Sequence, residues 1–416
     1  MSAAGPSSRP APARTRPKEG HINAHQRARH QAEAVARQLR IPHPGGQTPQ
    51  SLSGGAAGIA LLHIERAATG HADWQEAHDW LRLATRDELA AGTEASLYYG
   101  APALAFALHS ASHLGYRSAQ ALLDKTVSAL TRDRLAAASQ RLERGERPAL
   151  AEFDLISGLT GLGAHWWRRD PSGDLIKDVL AYLIRLTEPV DDLPGWWTLS
   201  SARRGTDAPP GGHSNHGMAH GIAGPLALLS LTARAGLMLP GQLEAIGRIC
   251  GWLDQWQHDH LGAPWWPETT TLAELQQGRT AQPGPRRPSW CYGTPGLARA
   301  QQLAAIAIGD TTRQTTAASA LTGCLNDPHQ LQQIVDGGLC HGTAGLFMTV
   351  AAFAADAIAS HHVPIRHITD LLLNGHAMTD APPGFLTGHA GYGLALHALA
   401  DGALPTTTWD ACLLLR

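Results

Sequence analysis

The stretch SWCYGTPG, residues 289–296, and its echo LCHGTAG, residues 339–345, decide how this chain can fold. Each stretch places metal-binding side chains directly before a turn of the form Gly-x-x-Gly. The same turn recurs seven times along the chain, and only the second copy departs from it, with Ala103 as its second small residue. The first glycines of the seven copies are Gly55, Gly100, Gly158, Gly221, Gly293, Gly342 and Gly388.

The spacing of these turns predicts a repeat built from helices. Successive copies lie 45 to 72 residues apart, which suits two helices and their loops in each unit. A segment rich in Ala and Leu follows each turn, as expected for a helix buried on most faces. More polar amphipathic segments lie between the copies, at residues 74–89, 119–142, 175–186 and 243–256. We therefore predict an all-α protein, an α/α toroid of seven inner and seven outer helices.

Composition also suggests where the domain begins. Residues 1–22 consist mainly of Pro, Ser, Ala and Arg, and we expect them to be disordered. We expect residues 23–416 to form a single toroid domain, with loop insertions at about 162–217 and 262–288. Both insertions are rich in Pro, Gly and Trp, and we expect them to border the central cavity.

Charge and cysteine content limit the classes of function. The net charge of -2 and the 16% of charged residues give no indication of a nucleic acid partner or an anionic membrane. Five widely spaced cysteines argue against a disulfide framework and for a reducing compartment. No apolar run has the length of a signal peptide or a membrane span. We expect a soluble cytoplasmic protein.

Residues that precede the turns line one rim if all the turns lie at one end of the toroid. This register brings together Cys291, Cys340 and His341, and two thiolates with an imidazole are a natural ligand set for zinc. Three protein ligands leave a tetrahedral ion a fourth position for water or substrate. The alternative is that these cysteines are buried packing residues. We predict one Zn(II) per chain and interpret the remaining cysteines as packing residues: Cys250, Cys324 and Cys412.

The same rim carries candidates for proton transfer. His220 directly precedes the fourth turn, Tyr292 precedes the fifth, and Asp154 lies four residues before the third. A histidine titrates near neutral pH and suits general acid or base work, although a lone histidine is also commonly a core residue with one hydrogen bond. His63, His216 and His389 are weaker candidates, because a chain with 23 histidines must place many of them at its surface.

Taken together, these motifs resemble the lanthionine synthetase C family, the cyclases of lanthipeptide biosynthesis. The resemblance covers about residues 25–400 and rests on the glycine turns with GMAHGIAG at 217–224, WCYGTPG at 290–296 and CHGTAGL at 340–346. It implies the family's toroid with zinc at its mouth, bound by the two cysteines and the histidine named above. It further implies catalytic roles for Asp154, His220, Arg287 and Tyr292.

Two departures from the family pattern bear on these assignments. Arg287 is followed by Pro288, where family members often carry an acid, and Arg286 is a neighbouring candidate for the same role. His216 stands where an apolar residue is usual, next to the Ala-His-Gly motif.

The implied activity is that of a zinc-dependent cyclase. It adds cysteine thiols to dehydroalanine or dehydrobutyrine of the same precursor peptide and so forms lanthionine or methyllanthionine rings. His220 is our first candidate for the acid that protonates the enolate, and Tyr292 is the second. Arg287 would stabilise the enolate oxygen, and Asp154 would orient His220. The implied partners are the dehydrated peptide, a separate dehydratase, and a transporter complex that would hold the protein at the membrane periphery.

Two other classes of function compete with this interpretation. The first is a zinc-stabilised, non-catalytic scaffold or peptide-binding subunit of a peptide-modifying complex. The second is a carbohydrate-active toroid, which needs paired carboxylates at its mouth. Only Asp154 and Asp336 lie near the predicted rim, so the sequence favours this second alternative least.

Overall fold

The computed structural model describes residues 23–42, 48–112, 114–201, 205–358, 361, 363–374, 378 and 380–416. The disorder expected for residues 1–22 concerns a segment outside these residues. The described chain forms seventeen α-helices, numbered here in chain order. They are α1 Ala24–Gln38, α2 Ala56–Ala68, α3 Trp74–Ala84, α4 Ala101–Ala111, α5 Arg117–Glu143, α6 Leu150–Phe153, α7 Leu159–Arg169, α8 Asp174–Leu186, α9 Ala223–Arg234, α10 Gln242–Gln255, α11 Leu272–Gln277, α12 Thr294–Ile308, α13 Thr311–Asn326, α14 Pro328–Leu331, α15 Thr343–Ala355, α16 Ile365–Asn374 and α17 His389–Asp401.

The helices are arranged in two concentric rings. The inner ring consists of the helices that follow the glycine turns, α2, α4, α7, α9, α12, α15 and α17, and each contacts the next until α17 meets α2. The outer helices α3, α5, α8, α10, α13 and α16 each pack on the inner helix that precedes them, and α1 packs on α17. This confirms the predicted α/α toroid of seven inner and seven outer helices.

Sequence pattern explains which helices lie inside. The outer helix α8 buries Ile176, Val179, Leu180 and Leu183, one face at helical spacing. The inner helix α15 is buried over almost its whole surface, as its apolar sequence TAGLFMTVAAFAA predicts. Helix α1 comes first in the chain but packs on α17, the last inner helix. The N-terminal helix therefore completes the outer ring.

The glycine turns allow each inner helix to begin against its own preceding loop. A Cβ atom on Gly296 would lie 2.0 Å from the carbonyl oxygen of Trp290, and one on Gly345 would lie 1.8 Å from that of Leu339. In both copies the glycine stands six residues after the carbonyl that it approaches. Only glycine tolerates such a contact without displacement of the backbone.

A series of backbone hydrogen bonds joins neighbouring turns around the rim. The N–H of Ala219 donates to the carbonyl of Cys291 at 3.3 Å, and the N–H of Cys291 donates to that of Cys340 at 3.2 Å. The series continues from Cys340 to Leu386 at 2.7 Å and from Leu386 to Ser53 at 2.8 Å. Each of these residues lies two positions before the first glycine of its copy. Equivalent positions of successive repeats therefore lie side by side, and Cys291 is a direct neighbour of Cys340.

Four strands of three residues each interrupt the helices of the described chain, and the helical repeat pattern did not predict them. Strand β1, His213–Asn215, pairs antiparallel with β4, Thr269–Thr271, and β2, His258–His260, pairs with β3, Ala263–Trp265. Segments this short carry too few residues for a period of two to be visible. The β1–β4 pair joins the two long intervals of the chain, and the first of these intervals also contains α8. No described helix is both long and apolar enough to cross a bilayer.

Candidate active site

The end of the toroid that carries the glycine turns, called the mouth here, opens into a cavity of about 1500 Å³. Residues of the turns and of the β1–β4 insertion line it. Asp154 is 2% exposed and lies behind His220, which lines the cavity. The predicted site residues that line this cavity are His220, Arg287, Cys291, Tyr292, Cys340 and His341.

Cys291, Cys340 and His341 form a group that can hold a metal ion. Their donor atoms all lie within 4.8 Å of one another. Ser289 supports the first of them, because its Oγ accepts hydrogen bonds from the N–H groups of Tyr292 at 3.3 Å and Gly293 at 2.9 Å and lies 3.6 Å from Cys291 Sγ. Two sulfur donors and one imidazole at this separation fit a tetrahedral cation with one open position.

The two thiols differ in acidity because they share a hydrogen bond. The bond to Cys340 lowers the pKa of Cys291 well below its ordinary value, and the same contact, with burial, raises the pKa of Cys340. The pair therefore favours one thiolate beside one thiol. Binding of a cation would release the remaining proton, as is general for thiolate ligands.

Asp336 holds the imidazole of His341 in place. One carboxylate oxygen lies 3.2 Å from Nε2 of His341, and the other accepts the N–H of Gly338 at 2.8 Å. Metal-binding histidines commonly have such a carboxylate partner, which sets the ring orientation and strengthens the ligand. The sequence predicts Asp336 only as a carboxylate near the rim. Its place in the loop directly before the Cys-His pair was the available signal.

His220 and Asp154 form a hydrogen-bonded pair beside this group. His220 Nδ1 lies 2.6 Å from Asp154 Oδ2, and Asp154 Oδ1 accepts the N–H groups of Ser157 at 2.6 Å and Gly158 at 2.8 Å. An ionised carboxylate can only accept, so the proton between the two side chains belongs to Nδ1. His220 Nε2 is then available for proton transfer, and the His220 side chain is 41% exposed.

Tyr292 stands next to His220, with ring centroids 6.3 Å apart. Burial raises the pKa of Tyr292 to about 12, so the phenol keeps its proton at neutral pH. Asn215 donates to Tyr292 Oη at 3.0 Å and accepts the N–H of Gly217 at 3.1 Å, which ties the ring to the Ala-His-Gly segment. Asn215 was not among the residues predicted from the sequence, although it lies two positions before the GMAHGIAG motif.

The two neighbouring arginines have different surroundings. Arg286 is exposed, and its Nε lies 3.9 Å from Glu268 Oε2. The hydrogen bond to Cys291 raises the pKa of Cys340, and the charge of the partly buried Arg287 offsets part of this increase. Both line the cavity, but Arg287 is the one with an electrostatic effect on the thiol pair.

The weaker histidine candidates have structural surroundings. His216 is fully buried, bonded to the carbonyl of Pro267 at 2.8 Å and to Trp252 Nε1 at 3.1 Å. Burial lowers the pKa of His216 to about 4, so it is neutral and supports the cavity wall. His63 is buried in the helical shell, and His389 contacts the side chain of Gln38 at 3.2 Å.

The helical toroid agrees with a known class of proteins. The sequence model of the family described as Lanthionine synthetase C-like protein matches residues 46–414, and the chain belongs to this family.

Particular relatives can be named within this class. The nisin biosynthesis protein NisC of Lactococcus lactis subsp. lactis is 22% identical over 274 residues, and the alignment spans 64% of each chain. The chain thus matches less than two thirds of the length of that protein. The solved structure of nisin cyclase is similar with a TM-score of 0.76 at 21% identity, over 93% of this chain and 97% of the other. At this identity the likeness to the solved structure shows the fold.

Proposed function

We propose that this protein is a zinc-dependent lanthipeptide cyclase that forms thioether rings in a dehydrated precursor peptide. The proposal rests above all on one observation, which is that the Cys-Cys-His group and the His220–Asp154 pair line or support the same cavity. Membership in the lanthionine synthetase C-like family supports the same reaction class.

Cys291, Cys340 and His341 would hold the metal ion. When bound, zinc supplies the Lewis acidity that lowers the pKa of a substrate thiol toward neutrality. As thiolates, the two cysteines balance the charge of a dication. This balance favours a substrate sulfur that stays electron-rich and nucleophilic.

His220 would deliver the proton that completes the addition. The substrate sulfur forms a bond to the β-carbon of the dehydro residue, and the electrons of the C=C bond move to the carbonyl as an enolate. A proton must then reach the α-carbon, so that the S–H of the substrate is added across the double bond overall. Asp154 holds His220 Nδ1–H and balances the charge of the imidazolium, which leaves the Nε2 proton for transfer.

Two further side chains would stabilise the enolate. Tyr292 keeps its phenol proton, because burial raises its pKa to about 12, and it is the second candidate for the proton donor. Arg287 brings a positive charge to the same cavity, and a fixed positive charge lowers the energy of a developing oxyanion. The cavity of about 1500 Å³ has room for a peptide segment.

The wider setting follows from this reaction. The peptide must arrive dehydrated, so we infer a separate dehydratase as a partner, a transporter complex for the product, and action in the cytoplasm. We further propose that residues 23–416 act as one domain, because both long intervals contribute to the cavity wall.

The test uses a synthetic peptide that carries one dehydroalanine and one cysteine a few residues away. Cyclisation leaves its mass unchanged but prevents alkylation of the thiol, so mass spectrometry after alkylation measures ring formation. We expect Cys291→Ala and Cys340→Ala to lose the zinc bound at the mouth and the activity. We expect His220→Ala to keep this zinc and to lose ring formation.

The control is His30→Ala, an exposed histidine on α1 outside the cavity, which should retain both zinc and activity. Full cyclisation by His220→Ala would show that His220 is not the proton donor. Unchanged zinc content in both cysteine variants would show that Cys291 and Cys340 do not bind the zinc.

A further inference from the structure

A second group of metal-ligating side chains lies at the end of the toroid opposite the mouth. His71 lies in the loop after α2, and His397 and Asp401 belong to the last turns of α17. Their donor atoms all lie within 4.8 Å of one another. Each of these inner helices has 13 residues, so at a rise of about 1.5 Å per residue the group lies roughly 20 Å from the glycine turns.

The place of this group in the fold is the closure of the inner ring. Helices α2 and α17 are the first and last inner helices, and they contact each other. A ligand held by both would join two parts of the chain that are far apart in sequence. Only the folded toroid brings His71 near His397.

The distances between the donor atoms suit a small cation. His71 Nε2 lies 3.6 Å from Asp401 Oδ1, and His397 Nδ1 lies 3.4 Å from Asp401 Oδ2. Ligand atoms about 2.0 to 2.2 Å from a tetrahedral zinc ion are separated by roughly 3.3 to 3.6 Å. The two imidazole rings meet edge to face, with centroids 5.1 Å apart. Small side-chain rotations would therefore suffice to bind an ion.

The contacts of His397 fix the direction in which its ring points. Nε2 lies 3.2 Å from Thr69 Oγ1, which also donates to the carbonyl of Glu65 at 2.8 Å. Nδ1, on the other side of the ring, faces Asp401 Oδ2 at 3.4 Å.

His397 is the buried member of the group. Its side chain is 5% exposed, whereas His71 and Asp401 lie at the surface. Arg29 is the nearest guanidinium to Asp401, at 3.8 Å, but its side chain is 48% exposed and it contacts the other carboxylate oxygen. The space between Nδ1 and the carboxylate is thus suited to a metal cation.

We propose that His71, His397 and Asp401 form a second zinc site, which fastens the first inner helix to the last. Two imidazoles and one carboxylate are a ligand set that zinc accepts, with a fourth position open to water on the exposed side. The role is structural, because a cation that binds only the folded chain stabilises it by mass action. The proposal is independent of the chemistry at the mouth.

The experiment separates the two sites by variants and by spectrum. The full chain is treated with chelator, dialysed, and titrated with Zn(II) in a calorimeter. We expect two ions per wild-type chain, one per chain for Cys291→Ala, and one per chain for either His71→Ala or Asp401→Asn. The control His30→Ala should bind two.

Substitution with Co(II) identifies which site remains. The thiolate charge-transfer absorption of cobalt should persist in His71→Ala and disappear in Cys291→Ala, while the latter keeps the weaker bands of a nitrogen and oxygen site. Zinc should raise the Tm of Cys291→Ala, and the added His71→Ala change should abolish this increase.

Either of two results overturns the proposal. One is a Cys291→Ala chain that binds no zinc and shows no zinc-dependent Tm. The other is a His71→Ala chain with the stoichiometry of the wild type. If Cys291→Ala keeps all the zinc of the wild type while His71→Ala loses one ion, the second site stands and the ligand set at the mouth fails instead.

Discussion

Asp336 contacts a proposed zinc ligand, His341, and its carboxylate should therefore affect zinc affinity at the mouth directly. Its carboxylate lies 3.2 Å from His341 Nε2 and also accepts a backbone N–H. We expect Asp336→Asn to weaken zinc binding at the mouth by about 10- to 100-fold, because the imidazole loses a charged partner and its fixed orientation. Competition with a chromophoric chelator measures the affinity.

The matched control for this prediction is a carboxylate that lines the cavity and does not contact His341. Glu268→Gln removes a charge from the same cavity but leaves His341 and its partner intact. We expect its zinc affinity to equal that of the wild type. An Asp336→Asn chain with unchanged affinity would show that the carboxylate does not support the ligand.

Some residues of the site could be predicted from the sequence, and others could not. Cys291 and Cys340 occupy the same position of neighbouring repeats, so the repeat register alone predicts that they meet. Asn215 ends strand β1 and Asp336 lies in the loop before α15, and each stands six residues before the first glycine of its copy. The register places both near a turn, but the side chain that each one contacts depends on the local backbone conformation, which no spacing rule specifies.

At the scale of the element, the glycine turn sets how an inner helix begins. A Cβ atom on Gly296 would lie 2.0 Å from the carbonyl oxygen of Trp290. The backbone can relieve this contact only by moving the loop that carries Cys291. We expect Gly296→Ala to lower the free energy of unfolding by about 1 to 3 kcal/mol, the usual cost of overpacking. Chemical denaturation measures the change.

The control is the same substitution in an outer helix. Gly251 lies in α10 with an exposed surface, and a Cβ atom there meets nothing within 4 Å. Alanine is favoured over glycine inside helices by about 1 kcal/mol, so Gly251→Ala should stabilise the protein. Equal effects of the two substitutions would contradict the close contact at the turn.

At the scale of the whole molecule, buried neutral histidines make stability depend on pH. His165 on α7 is 1% exposed, and among the described residues its Nε2 has no hydrogen-bond partner. Burial lowers the pKa of His165 to about 3, against about 6.5 in an unfolded chain. Between these two pH values only the unfolded chain binds the proton. The contribution of His165 to the free energy of unfolding is therefore fully present above about pH 6.5 and is lost as the pH falls.

This linkage predicts the behaviour of His165→Leu. Between pH 6.5 and pH 5, protonation of His165 in the unfolded chain should lower the free energy of unfolding of the wild type by about 2 kcal/mol. The variant has no such group and should not show this decrease. Chemical denaturation at several pH values should show the free energy of unfolding of the variant increasing relative to that of the wild type as the pH falls. The exposed His30→Leu should follow the wild type, and parallel profiles for His165→Leu would contradict the assignment.

The sequence by itself determined the all-α class, the seven repeats, their division into inner and outer helices, and the meeting of Cys291 with Cys340. These features follow from helical periodicity and from the repeat register, which are local properties repeated along the chain. Tertiary structure alone decided the β1–β4 pair, the contacts of Asp336 and Asn215, and the closure that places His71 beside His397. They depend on loop conformation and on how α17 meets α2, because both arise from packing between segments distant in sequence.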